Sequence, residues 1–284
     1  MLAQTACIWE VMSRKVGNVH PAATFRQGNL TDFLISAAVI APFFNSKLTP
    51  KVGATIHLAV DATQDAVGHN TNLGIILLLS PLAAIHRYLP LRDHIARVLA
   101  ELTADDTRCV YESIRLANPG GLGNAPEQDV WQEPTVTLLD AMKLAADRDM
   151  VARQYANGFA DVFDFGTPAF LDAFARFGCV EAAIIDSQLR WLAEYPDSLI
   201  ARKNDPAVAE DVRRRAAEVQ GLGGIATPEG RRAGVAFDRH LRSDGNRLNP
   251  GTTADLITAC LFVALRENKV APSAPFRWQV EDWL

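Results

Sequence analysis

The chain is poor in the features that would place it in a membrane, a secreted disulfide scaffold or a nucleic-acid complex. Its four cysteines, Cys7, Cys109, Cys179 and Cys260, are scattered, with no Cys-x-x-Cys spacing. That excludes a compact zinc or redox motif and suits buried thiols in a reducing compartment, the cytoplasm. No apolar run reaches the ~20 residues that cross a bilayer. The most apolar stretch, Leu73 to Ile85, is shorter and contains Gly74 and Pro81, so it reads as a buried helix of a soluble protein. The first ten residues lack a basic segment followed by a long apolar run, which argues against a secretory signal. The formal net charge is −5, and an acidic chain repels nucleic-acid backbones unless a basic patch overrides its field. The densest basic group, Arg213 to Arg215 with Arg202 and Lys203 close by, occupies helix positions that point in different directions, so it reads first as a solvated face and second as a site for a small phosphorylated ligand. Alternating β-branched runs are nearly absent, and no fixed-period repeat or Pro/Ser/Gly linker divides the chain.

What is present is helix after helix. Apolar spacing and cap signals predict helices near 2–13, 31–45, 51–67, 73–88, 91–101, 104–117, 135–146, 148–163, 168–177, 180–194, 206–220, 228–242 and 253–267. The expected fold is all-α, one large multi-helix domain over residues 1–284 with no substantial sheet. Thr103 with Asp106 resembles a capping box, and Asp205-Pro206 and Thr227-Pro228 each place an acceptor ahead of a proline at the first helical position.

Four loops carry the unusual residue combinations. Lys15 and Gly17, in the segment Arg14 to Pro21 with His20, would set an ammonium and a glycine amide beside a phosphate. Asn70, Thr71, Asn72 and Gly74 open an apolar helix, where free amides and the positive dipole end favour an anion. Gly120, Gly121 and Gly123 lie in a glycine-rich loop with neither a preceding strand nor a Gly-Lys-Ser/Thr, so Rossmann and Walker motifs are excluded; Glu127 and Asp129 follow it. Thr252 and Thr253 stand at a late helix start, with Asp255 expected in its first turn. Upstream of the second loop, His57, Asp61, Asp65 and His69 recur every four residues as a slanted polar stripe. Asp61 and Asp65 are the expected Mg²⁺ ligands, because magnesium takes one or two carboxylates plus phosphate oxygens.

The order of these motifs resembles the triphosphoribosyl-dephospho-coenzyme A synthase family over roughly Glu10 to Ala264. The residues concerned are Glu10-Val11 with Lys15-Val16-Gly17, then Asn70-Thr71-Asn72-x-Gly74, then Gly120 to Ala125, then Pro250-Gly251-Thr252-Thr253-Ala254-Asp255-Leu256. Four positions depart from the family pattern. Val16 replaces a proline, Leu73 a residue that is often basic, and Leu122 and Asn124 an arginine and a glutamate. The first two loops look closer to the relatives found in methanogens and methylotrophs. The resemblance implies transfer of the triphosphoribosyl group of ATP, with loss of adenine, to a hydroxyl of dephospho-coenzyme A or a similar coenzyme precursor. It implies ATP as substrate, Mg²⁺ with the nucleotide, and small-molecule partners only, with a homodimer left open. On this reading Glu10, Asp61, Asp65 and Asp255 are the candidate catalytic carboxylates, and the named loops should meet in one pocket. Two alternatives remain open: ribosyl transfer in methanopterin- or methanofuran-type coenzyme synthesis, and a silent nucleotide-binding subunit.

Overall fold

The computed structural model describes residues 1–24, 28–44, 51–123, 125–245 and 247–284. The expected helix end at Asn45 and the loop residues Asn124 and Asn246 lie outside the described residues. The helices are α1 (Leu2–Met12), α2 (Leu30–Ile40), α3 (Val52–Val67), α4 (Leu73–Ala84), α5 (Leu91–Ala100), α6 (Ala104–Ala117) and α7 (Leu138–Ala145). They continue as α8 (Met150–Ala156), α9 (Thr167–Phe177), α10 (Val180–Glu194), α11 (Ser198–Lys203), α12 (Pro206–Gly221), α13 (Pro228–Arg242) and α14 (Gly251–Arg266). Among the described residues the β pairing consists of a single bridge between His20 and Ala23, so the all-α expectation holds.

The cap signals act where the sequence puts them. The Thr103 hydroxyl accepts from the Asp106 amide while the Asp106 carboxylate takes the Thr103 amide. Asp205 accepts from Ala207 and Thr227 from Gly230. Arg213, Arg214 and Arg215 pair with Glu210, Asp211 and Glu218 on α12, the solvated face expected of them. Two elements differ from the sequence reading. The helix expected over 148–163 breaks after Ala156, because Gly158 and the buried Phe159 take positive φ. The chain re-enters as a π-turn over Asp161–Gly166, with Asp161 gathering Arg153, Gln154 and Asn157. Helix α11 was not foreseen, since its six residues are too few to show a period.

Two apolar clusters share α10. One joins α1, α3, α4, α9 and α14; the other joins α10 to α12 and α13. Helix α4 is buried almost throughout, with Ile76, Leu78, Leu79 and Leu82 fully enclosed. Among the described residues no helix is long and apolar enough to cross a membrane. What positions the site is the way α4, α11 and α14 begin close together. Asp197, itself buried, caps two of them. One oxygen accepts from the Leu199 and Ile200 amides of α11 at 2.9 and 3.0 Å. The other accepts from the amide and hydroxyl of Thr253 in α14 at 2.7 and 2.8 Å.

Asp197→Ala removes both caps at once. With a helix cap contributing ~1–2 kcal/mol, the variant is expected to lose about 2–4 kcal/mol in urea unfolding. A loss below ~0.5 kcal/mol would show that the two helix starts hold without it.

Candidate active site

Beside the first loop the cavity receives a carboxylate of α1, Glu10, rather than the loop's lysine. Lys15 is fully buried; its ammonium lies 2.9 Å from the Glu10 carboxylate and also donates to the Glu10 and Ser13 carbonyls. It sits behind Glu10 and does not line the cavity described below, so its expected place beside a phosphate is corrected. The reason is steric as well as electrostatic. Gly17 turns the chain with φ 71°, and a Cβ there would stand 2.8 to 2.9 Å from Leu241 and Pro250. The Gly17 amide is committed to Asp238 at 2.8 Å. His20 is enclosed beside Arg242, and burial, then the Lys15 and Arg242 charges, push its pKa down to about 3. Gly17 and His20 therefore form the loop's packing, and Asn18 and Val19 are the members that reach the cavity.

The second loop is built around the start of α4. The Asn70 carbonyl oxygen accepts from the Asn72 and Leu73 amides at 3.2 and 3.0 Å. The Thr71 hydroxyl bonds Ser36 at 2.6 Å. Asn72 occupies the cap position but makes no cap bond, and its buried Nδ2 has no partner. Gly74 is required by contact: a Cβ there would lie 2.0 Å from the Asp255 carboxylate. Helix α14 starts at Gly251, two residues earlier than expected, which moves Asp255 beyond the first turn. Its carboxylate lies instead across the first turn of α4 and receives no hydrogen bond from the described residues. Neither threonine caps α14 by side chain; Thr252 accepts from Ser198 at 3.1 Å, and Thr253 donates to Asp197.

These pieces surround one cavity of about 1120 Å³. Glu10, Asn70, Thr71, Asn72, Gly74, Gly120, Gly123, Thr252 and Asp255 all line it, although their sequence positions run from 10 to 255. Gly121 does not; it packs on the Arg202 backbone. Asp61 and Asp65 do not either. Both are exposed on α3, whose buried positions Ile56, Ala59, Val60 and Thr63 turn the other face inward. The metal expectation at that pair is thereby corrected; of the stripe only His69 reaches the cavity, held by the Val67 carbonyl. The cavity also receives Arg148 and Asp149, which sequence reasoning missed, and Arg202 and Lys203, which it named only as neighbours of the Arg213 to Arg215 group. The available signal was Asp197-Ser198, a cap followed by a short run ending in two cations.

Electrostatically the cavity has two ends. Burial raises the Glu10 carboxyl above the usual range even though Lys15 opposes the shift. Burial, then repulsion from Glu10, Asp197 and Asp149, raises Asp255 well above it. At the other end Arg202 donates to the Gly120 carbonyl at 3.3 Å and to Asp149 at 3.1 Å. Asp129 is held below the usual carboxylate range by the Trp131 and Ala125 amides. Part of the cavity wall is apolar, with Ile114, Ala141, Met142 and Ala145.

The glycine loop and the starts of α4 and α14 thus enclose one cavity within a multi-helix fold. The chain belongs to the CitG family, ATP:dephospho-CoA triphosphoribosyl transferase, whose model matches residues 1–273. It is similar to a Pseudomonas putida protein named "Probable 2-(5''-triphosphoribosyl)-3'-dephosphocoenzyme-A synthase". The two are 33% identical over 113 residues, 39% of this chain and 40% of that protein. A protein of the same name from Pseudomonas savastanoi pv. phaseolicola is 31% identical over 115 residues, 40% of this chain and 39% of its own length. The aligned segment thus spans well under half of either relative. A crystal structure from Archaeoglobus fulgidus, named as a triphosphoribosyl-dephospho-coA synthase, superposes with a TM-score of 0.64 at 26% identity. It covers 82% of this chain and 98% of that one.

The raised Asp255 carboxyl has a consequence for stability. A carboxyl whose folded pKa exceeds its unfolded value of 3.8 contributes stability fully below that value, and the contribution is lost as pH rises through the folded pKa. Asp255→Asn, neutral at every pH, is therefore expected to melt above wild type at pH 8, by about 2–4 °C for each ~1 kcal/mol relieved. The gap should close toward pH 4. Equal melting temperatures across that range would show that the carboxylate is well solvated.

Proposed function

We propose that this chain transfers the triphosphoribosyl group of ATP to a hydroxyl of a coenzyme precursor of the dephospho-CoA type, releasing adenine. The observation that carries the reading is Asp255: a partly buried carboxylate lining the cavity, near Glu10 and free of hydrogen bonds from the described residues. In the transfer, the bond from ribose C1 to adenine breaks and its electron pair leaves with the base. Positive charge develops at C1 as the acceptor oxygen closes on it. An anion fixed in a site of low dielectric stabilises such charge far more than water does. Asp255 also stands ready to accept the proton of the attacking hydroxyl, since its raised pKa makes it a stronger base than a surface carboxylate. That proton balances the one adenine needs on departure. Lys15 opposes the rise in the Glu10 pKa and aims its carboxylate, and Asn72, whose Nδ2 has no partner among the described residues, offers an amide to a sugar hydroxyl.

Neither helix start favours phosphate. The α4 start already faces Asp255, and the α14 start is satisfied by Asp197. The triphosphate fits the opposite end instead. If Mg²⁺ accompanies it, Glu127 and Asp129, which line the cavity beside the glycine loop, would hold the ion, and it would supply charge against the phosphate oxygens. A second acceptor class has one specific support. Leu122 lines the cavity where the family carries an arginine, next to the apolar wall of Met142 and Ala145. An acceptor with an uncharged aromatic portion, such as a methanopterin-type precursor, would suit that wall. The free cysteines fit a cytoplasmic setting.

The test is adenine release from ATP, followed chromatographically with dephospho-CoA and a panel of aromatic coenzyme precursors. Asp255→Asn is expected to lower the rate ~10²–10⁴-fold, the contribution of a positioned general base, while ATP binding stays within about threefold. The acid limb of the wild-type profile should lie above the ordinary carboxylate pKa of about 4. An unaffected Asp255→Asn rate would remove Asp255 from the chemistry. ATP binding without adenine release for any acceptor would leave a nucleotide-binding subunit.

A further inference from the structure

We infer that Lys203, with Arg202 and Arg148, forms a polyphosphate-binding subsite over the glycine-rich loop. The inference rests on the transferase reading only for the identity of the substrate that brings the phosphates.

Lys203 ends α11 and lines the cavity half-buried. No described carboxylate pairs with it and its ammonium makes no hydrogen bond. A cation taken partly out of water without a counterion is costly unless an anion arrives. In agreement, burial and then the Arg202 charge hold its pKa below the ordinary lysine range. The loop is shaped around it. A Cβ on Gly120 would stand 3.1 Å from Lys203 Cε, and one on Gly121 would stand 2.9 Å from the Arg202 carbonyl. The loop therefore lies flat on the end of α11, and glycine is what lets the two cations reach past it. Arg202 is oriented by the Gly120 carbonyl and by Asp149, which leaves part of its guanidinium fork unused. Arg148 stands exposed at the rim and bonds the Leu144 carbonyl, 3.6 Å from Asp147.

Two further observations exclude other places for the phosphates. Glu10 and Asp255 repel them from the start of α4. Leu122 lines the cavity from the glycine-rich loop, so the loop brings no charge of its own there. The charge comes instead from α11, across the loop. Polyphosphate chemistry has two sources in the proposed reaction, the triphosphate of ATP and the diphosphate of a dephospho-CoA acceptor.

Inorganic tripolyphosphate is the probe, titrated calorimetrically into the full chain. Lys203→Met is expected to weaken binding at least tenfold, the effect of losing a charged hydrogen bond. Lys203→Arg should recover most of it, and Lys269→Met, exposed at the far end of α14, should bind like wild type. Melting temperatures of the variants separate a fold defect from a lost contact. Tripolyphosphate bound equally by wild type and a folded Lys203→Met would overturn the subsite. Steady-state kinetics then assign its occupant. A raised KM for ATP alone places the donor's triphosphate there, and a raised KM for the acceptor alone places the acceptor's diphosphate there; either supports the subsite. Lysine-dependent tripolyphosphate binding without adenine release would leave the subsite standing while the transferase reading fails.

Discussion

The contact of the Asp255 carboxylate with the first turn of α4 is the constraint on which the site depends. It needs Gly74, because any Cβ would occupy the carboxylate's own place. It needs α14 to begin early enough to carry Asp255 across, and α4 to begin where Asn70 takes its first free amides. A helix start attracts anions, so α4 lessens the penalty of burying a carboxylate that receives no hydrogen bond. The protein thus uses a natural phosphate-binding feature to hold an acid of its own.

The neighbouring charges follow the same logic. Glu10 is buried, so it is paired, and its partner Lys15 is buried deeper still. Lys15 is in turn fixed by a loop pinned at Gly17 through Asp238 and at Val16 and Asn18 through Gln188. Asp197 joins the acidic end to the basic one, because it caps the helix that carries Asp255 and the helix that carries Lys203. The relative placement of sugar chemistry and phosphate binding is then set by one side chain spanning two helix starts.

Much of this was legible before any coordinates. The helices, three of the caps and the meeting of Glu10, Asn72, Gly120, Thr252 and Asp255 all follow from periodicity and motif order. What was not legible is direction. A lysine beside a glycine in a turn reads the same whether it faces a ligand or the core, and Lys15 faces the core. Asp61 and Asp65 obey a helical stripe, but a stripe does not say which face is covered; Ile56, Ala59 and Thr63 answer that only once α3 is packed. Lys203 was hidden in a helix too short for a pattern, and its role emerges from a glycine 83 positions earlier.

The two-ended charge distribution also bears on why the cavity would not simply hydrolyse a nucleotide. An acidic end attracts a developing cation but repels the phosphates of the same molecule. On the proposed reading a donor would be held in one orientation, its sugar toward Asp255 and its phosphates toward α11, without a clamp on the base. The base is the part that must leave, and loose binding of the leaving group keeps its departure from being rate-limiting. Part of the cavity wall is apolar, lined by Ile114, Ala141 and Met142. An apolar wall holds few ordered waters, so the oxygen best placed to reach C1 belongs to an acceptor seated against that wall. Selection of an acceptor hydroxyl over water then rests on that wall, where no catalytic group is needed.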